Sequence, residues 1–223
     1  MSEPAVEDPL NSSIDDPIKP RMRGWIHLIS AFVAAPFGVL LVQHAQPGHL
    51  STGAALYAIS LVMLLGTSGT YHTPTWSDRT RTFLRLLDHS MIFVLIGGSY
   101  SPFLLGIDLD WVTWVLPGIW IMAFLGILRT VFLPNINRFL KSAIYVLMGW
   151  VAAPLMVPFH AAYGDLVLAL LLIGGLAFTG GALIYARQTP NPWPETFGYH
   201  EIFHVSVVLG SICHYIAVWL VVA

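Results

Sequence analysis

Charge is what this chain has least of. Ten Lys and Arg and twelve Asp and Glu make up 10% of its 223 residues, against roughly 25% in an ordinary soluble domain. The net charge of −2 leaves no basic field for a nucleic acid, so no nucleic-acid partner is expected. Cysteine is almost absent as well. A lone Cys213 rules out an internal disulfide and any zinc site built from several thiolates, and its place in an apolar run marks it as a packing residue. What fills the chain instead is apolar: 56% of residues, with a mean hydropathy of +0.72. This is the composition of an integral membrane protein.

Residues 1–22 differ from the rest. Glu3, Glu7, Asp8, Asp15 and Asp16 alternate with Pro4, Pro9, Pro17 and Pro20. Such a segment cannot bury enough apolar surface to fold, and we expect a disordered cytoplasmic tail. It has neither the basic start nor the short apolar core of a signal peptide. Residues 23–223 form the membrane domain. A spanning helix needs about 20 mostly apolar residues. Seven segments qualify, at about 25–43, 53–73, 84–105, 111–133, 141–160, 164–186 and 199–222. The expected fold is therefore all-α, a bundle of seven transmembrane helices joined by short connections. Placing the basic residues on this scheme puts all ten on one side: Lys19, Arg21, Arg23, Arg79, Arg81, Arg85, Arg129, Arg138, Lys141 and Arg187. The other side has Asp108, Asp110, Asp165, Gln43, His44 and His49. By the positive-inside rule the N-terminus is inside and the C-terminus outside, in a plasma or inner membrane.

The polar residues within the spans carry the chemistry. The last segment holds His200 and His204, four apart and so on one helical face. Two such imidazoles can grip one metal ion; the bland alternative is a pair of neutral histidines bonded to neighbouring helices. The second span ends at His72 with Ser68 one turn above it, and the third starts with Asp88 and His89 about a turn in. Three histidines, a serine and a carboxylate thus converge at one depth from three helices. Three imidazoles and an open position are the layout of a catalytic zinc site, with water in the fourth place. Asp88 could take that water's proton, or instead pair with Arg85 or Arg81. Ser68 could hold the water or a carbonyl, or instead bond its own helix backbone. A rival reading uses His200-Glu201-Ile202-Phe203-His204 as an H-E-x-x-H zinc-protease motif with Glu201 as base. His44, His49 and His160 read as interfacial residues. His27 reads as a snorkelling or hydrogen-bonding residue, and His214 as a bond between helices.

Taken together, Ser68-x-x-x-His72, Arg85-x-x-Asp88-His89, Tyr100-x-Pro102 and His200-x-x-x-His204 resemble the hemolysin III family. That family is related to the progestin and adipoQ receptors, adiponectin receptors included. The resemblance covers about residues 20–222. It implies seven helices, a cytoplasmic N-terminus and a zinc ion near the cytoplasmic face. By position the ligands would be His72, His200 and His204, with Asp88 and Ser68 beside the zinc-bound water. The receptor relatives are associated with ceramide hydrolysis. Three functions follow as expectations: a zinc-dependent hydrolase of a lipid amide or ester bond, with ceramide as one such substrate; a receptor, regulator or cytolysin with structural zinc; or an intramembrane protease using Glu201.

Overall fold

The computed structural model describes residues 19–110 and 112–223; the expected tail at residues 1–18 lies outside them. The described residues are helical apart from short connections, with one isolated bridge between Trp193 and Phe197 and no strand. In chain order the helices are α1 (Trp25–His44), α2 (His49–His72), α3 (Asp78–Leu105), α4 (Val112–Phe132), α5 (Arg138–Gly149), α6 (Met156–Arg187) and α7 (Tyr199–Val222). A 3₁₀ stretch, Trp150–Leu155, joins α5 to α6.

Local chemistry sets several of these boundaries. Ser77 caps α3 by accepting from the Thr80 N–H at 3.5 Å, and Asn137 caps α5 by accepting from Leu140 at 2.8 Å. Pro154 has no N–H to give to an α-helical ladder, which is why α5 tightens into 3₁₀ geometry there. The carbonyls freed at that change are caught by Tyr100, whose hydroxyl donates to Gly149 at 2.6 Å and Met148 at 3.2 Å.

By length and apolarity six helices can cross a membrane. The number falls one short of the expected seven because Arg138–Arg187 counts as a single run of 50 residues. Inside it Gly164 stands at φ 80°, ψ −177°. A residue with a Cβ is strained at that φ, and Met156–Arg187 is two helical parts joined by a kink there. The break falls at the start of the expected sixth span. Large apolar side chains face outward on the bundle; Phe32, Val157 and Trp114 are 75, 78 and 80% exposed. On a water-soluble surface such a belt would drive aggregation, and in a bilayer it is the contact with lipid.

The bundle is closed by α7, which packs against α1, α2, α3 and α6. At one end Gln46 donates from its backbone to Val222 (2.8 Å) and from its side chain to Ala223 (2.7 Å). At the other, Arg21 and Met22 donate to Glu195 and Thr196 at 2.9 and 3.2 Å. The start of α1, the end of α2, the start of α3 and the start of α7 all meet at this second end.

Candidate metal centre

His72, the last residue of α2, meets His200 and His204 from the first two turns of α7. One nitrogen from each ring lies within 4.8 Å of the other two. The ring centroids are 4.6 Å apart for His72–His200, 4.6 Å for His200–His204 and 5.2 Å for His72–His204. His72 and His204 are 9% and 1% exposed, and His200 is half-buried on the cavity wall. The donor set suits a borderline cation such as zinc, copper or iron. One observation bears directly on the fit: Nδ1 of His204 is buried with no hydrogen-bond partner among the described residues. A buried acceptor left unmet is costly, so this nitrogen set has room for a ligand bond. The three histidines could hold a metal ion.

The backbone around His72 is fixed from outside α2. Gly24, just before α1, sits at φ 87°, and a Cβ there would stand 2.8 Å from both the Cβ and the carbonyl carbon of His72. Only glycine allows that turn and that approach together. Lys19 donates to the Thr73 and Pro74 carbonyls at 3.2 and 3.4 Å. Burial, and then the nearby charge of Arg23, hold its pKa below the usual lysine value.

The carboxylate and the serine stand beside the cluster. Oδ2 of Asp88 is 3.9 Å from Nε2 of His72 and 3.9 Å from Nδ1 of His89. Ser68 and Asp88 line the same cavity. Ser68 bonds a histidine of another helix. His89 is held by its own helix, with Nδ1 donating to the Arg85 carbonyl at 2.7 Å.

His27 is the residue sequence reasoning undervalued. Its ring stacks on His204, centroids 3.8 Å apart and planes within 15°. Nε2 is 3.2 Å from the His204 carbonyl and Nδ1 is 2.9 Å from Oγ of Ser68. A carbonyl only accepts, so Nε2 carries the proton; in the neutral ring Nδ1 then accepts the Ser68 hydroxyl proton. His27 thus orients both a cluster histidine and the serine. The signal was available: His27 lies at the same depth as the other three, one helix away.

Glu201 is used otherwise. It is fully buried; Oε1 takes a hydrogen bond from Nε of Arg23 at 2.6 Å, and Oε2 accepts from the Gly198 N–H at 2.8 Å. It caps α7 and pairs with the chain entering α1, which leaves the protease reading without its base. His214 bonds the Leu171 carbonyl of α6 at 3.4 Å, as a link between helices.

Behind the histidines lies a cavity of ≈ 210 Å³, many times the roughly 10–15 Å³ that a single water needs. His27, Ser68, His72, Asp88, His200 and His204 line its polar end, and Ile92, Leu95, Phe103, Phe159 and Phe178 its apolar walls.

The architecture and the site define a multi-pass helical membrane protein with a buried three-histidine cluster at one end of the bundle. Residues 16–215 match the model of the family described as Haemolysin-III related, and the chain belongs to that family. It is 30% identical to Hemolysin-3 of Bacillus cereus over 191 residues, 83% of each chain. It is equally similar, 30% over 159 residues and 70% of each chain, to the Hemolysin-3 homolog of Bacillus subtilis (strain 168). The Adiponectin receptor protein of Drosophila melanogaster is 28% identical over 216 residues, 86% of this chain and 48% of that one.

Proposed function

We propose that this protein is a zinc-dependent hydrolase of an amide or ester bond in a membrane lipid, ceramide being one substrate of that kind. The observation that carries the reading is the junction of a three-histidine cluster, a carboxylate and an apolar-walled cavity in one place. Bound zinc would supply Lewis acidity, polarising a carbonyl and acidifying a water. The apolar walls take the lipid chain and bring its polar head to the histidine end. Asp88 accepts the proton of the attacking water as hydroxide adds to the acyl carbon. The same carboxyl returns the proton to the departing nitrogen or oxygen as its bond to that carbon breaks. Ser68, whose proton is directed to His27, keeps its oxygen free to accept a hydrogen bond from the water or the substrate. Purified protein should contain one zinc per chain and release fatty acid from a lipid amide, with chelator stopping turnover and added zinc restoring it. A metal-free protein, or turnover indifferent to chelation, would exclude this reading. The relatives named for haemolysis support a second one, a cytolysin with structural zinc; leakage of loaded vesicles without lipid turnover would favour it.

The same reading gives the chain seven crossings in a plasma or inner membrane, with the zinc site near the cytoplasmic face. A helix of 50 residues would run about 75 Å, more than twice the roughly 30 Å of a hydrocarbon core. The break at Gly164 allows Arg138–Arg187 to cross twice. An odd number of crossings separates the termini, and the basic residues put the N-terminus inside. A reporter fused after Ala223 should therefore be active outside the cytoplasm; cytoplasmic activity would mean an even count.

A further inference from the structure

A second polar site lies at the same end of the bundle, beyond the histidines. Arg85 of α3, Arg129 in the last turn of α4 and Lys141 in the first turn of α5 line one crevice, with Leu86, His89, Thr130 and Pro134 completing it. The charges of Arg129, Arg85 and Arg138 all bear on Lys141. Like charges gathered in this way repel one another unless an anion sits among them. Arg85 has partners of its own, but Nε and Nη2 of Arg129 are buried with no hydrogen-bond partner among the described residues. The negative end of the α4 dipole favours a cation here, yet it does not take up those two N–H groups.

Two features fix the chemistry of the missing partner. The first is the donor set: an arginine fork and a lysine lining one crevice suit an oxyanion with several oxygens, as phosphate has. The crevice itself has room for only ≈ 10 Å³, so one oxygen would enter and the rest of the group would stay at the mouth. The second is the surroundings. Phe132, Leu133, Phe139 and Leu140, on either side of the α4–α5 connection, are 74, 60, 60 and 48% exposed. Cations flanked by outward apolar side chains match a lipid headgroup with its chains beside it, and basic pockets between spanning helices take anionic headgroups.

We propose that Arg129 and Lys141, with Arg85, bind the phosphate oxyanion of an anionic phospholipid headgroup, its chains lying along Phe132 and Phe139. The proposal needs only that the protein is in a membrane and stands whether or not the histidine site hydrolyses lipid. It is tested on the full chain in non-ionic detergent, by melting curves with short-chain phosphatidylglycerol, short-chain phosphatidylcholine or inorganic phosphate. Phosphatidylglycerol should raise the melting temperature by roughly 5–10 °C at a hundredfold its Kd, and phosphatidylcholine much less. Arg129→Gln with Lys141→Gln should abolish the shift, while Arg21→Gln with Arg79→Gln, which removes an equal charge from exposed positions elsewhere, should keep it. Should the crevice double variant not fold, native mass spectrometry of Lys141→Gln alone should show fewer retained phosphatidylglycerol molecules. A shift from inorganic phosphate as large as that from phosphatidylglycerol would overturn the lipid source. Equal responses of wild type and the crevice double variant would overturn the site.

Discussion

Alanine in place of His72, His200 or His204 should strip the metal from the protein and lower its melting temperature. A ligand that binds only the folded state stabilises it by RT ln(1 + [L]/Kd), about 2.7–4.1 kcal/mol when its concentration is 100–1,000 times Kd. Losing one imidazole of three forfeits most of that. At His204 the change also removes the ring stacked 3.8 Å from His27, so this variant should melt lowest of the three. The contribution of the metal is separated from that of packing by repeating the curves with chelator. Wild type should fall on chelation to near the level of His72→Ala, and His72→Ala should not respond. His214→Ala is the matched control: it also removes a histidine facing the same cavity, but that ring bonds Leu171 and lies outside the cluster. It should keep its zinc. Full zinc occupancy in His72→Ala would refute the three-histidine site.

Much of this site was legible in the sequence because helical geometry is simple. His200 and His204 share a face by spacing alone, and antiparallel packing of short-linked helices brings the end of α2 to the start of α7. The helix ends were less legible. α3 begins at Asp78, six residues before the apolar run expected from 84, and α2 at His49, not 53. Hydropathy registers only the lipid-facing part, whereas a cap such as Ser77 starts a helix in the polar region outside it. The α5–α6 stretch is the opposite case. The gap expected between 160 and 164, where His160 and Asp165 interrupt the apolar run, coincides with the kink at Gly164. His27 and Arg23 were underrated for a different reason. Their partners, Ser68, His204 and Glu201, lie 41, 177 and 178 residues away, and only the closed ring of helices brings α1 to α7.

That closure separates the two carboxylates that competed for the role of base. Glu201→Gln weakens a buried pair with Arg23, whose side chains are 0 and 4% exposed. Removing one partner of such a pair costs about 3–5 kcal/mol. Glutamine has one oxygen for two donors, so if it keeps the cap on Gly198 its NH2 faces Arg23, and the full range applies. The effect should appear in the melting curve, while turnover per folded, zinc-loaded molecule stays close to wild type. Asp88→Asn should do the reverse. Asparagine has nearly the same shape, and Oδ2 of Asp88 is 3.9 Å from His72, beyond a direct hydrogen bond. The fold and the zinc should survive, but an amide cannot accept the proton of the attacking water, and turnover should fall by about 10²–10⁴-fold. The pair of variants therefore discriminates three mechanisms when zinc content, melting temperature and turnover are measured on each. Lost turnover in folded, zinc-loaded Glu201→Gln beside a mild Asp88→Asn would restore the protease-like arrangement. Indifference to both, with the histidines still required in cells, would make the zinc structural and end the hydrolase reading. Asp88 is the carboxylate that faces the cavity and Glu201 the one that joins α7 to α1, so the losses should divide between chemistry and stability along that line.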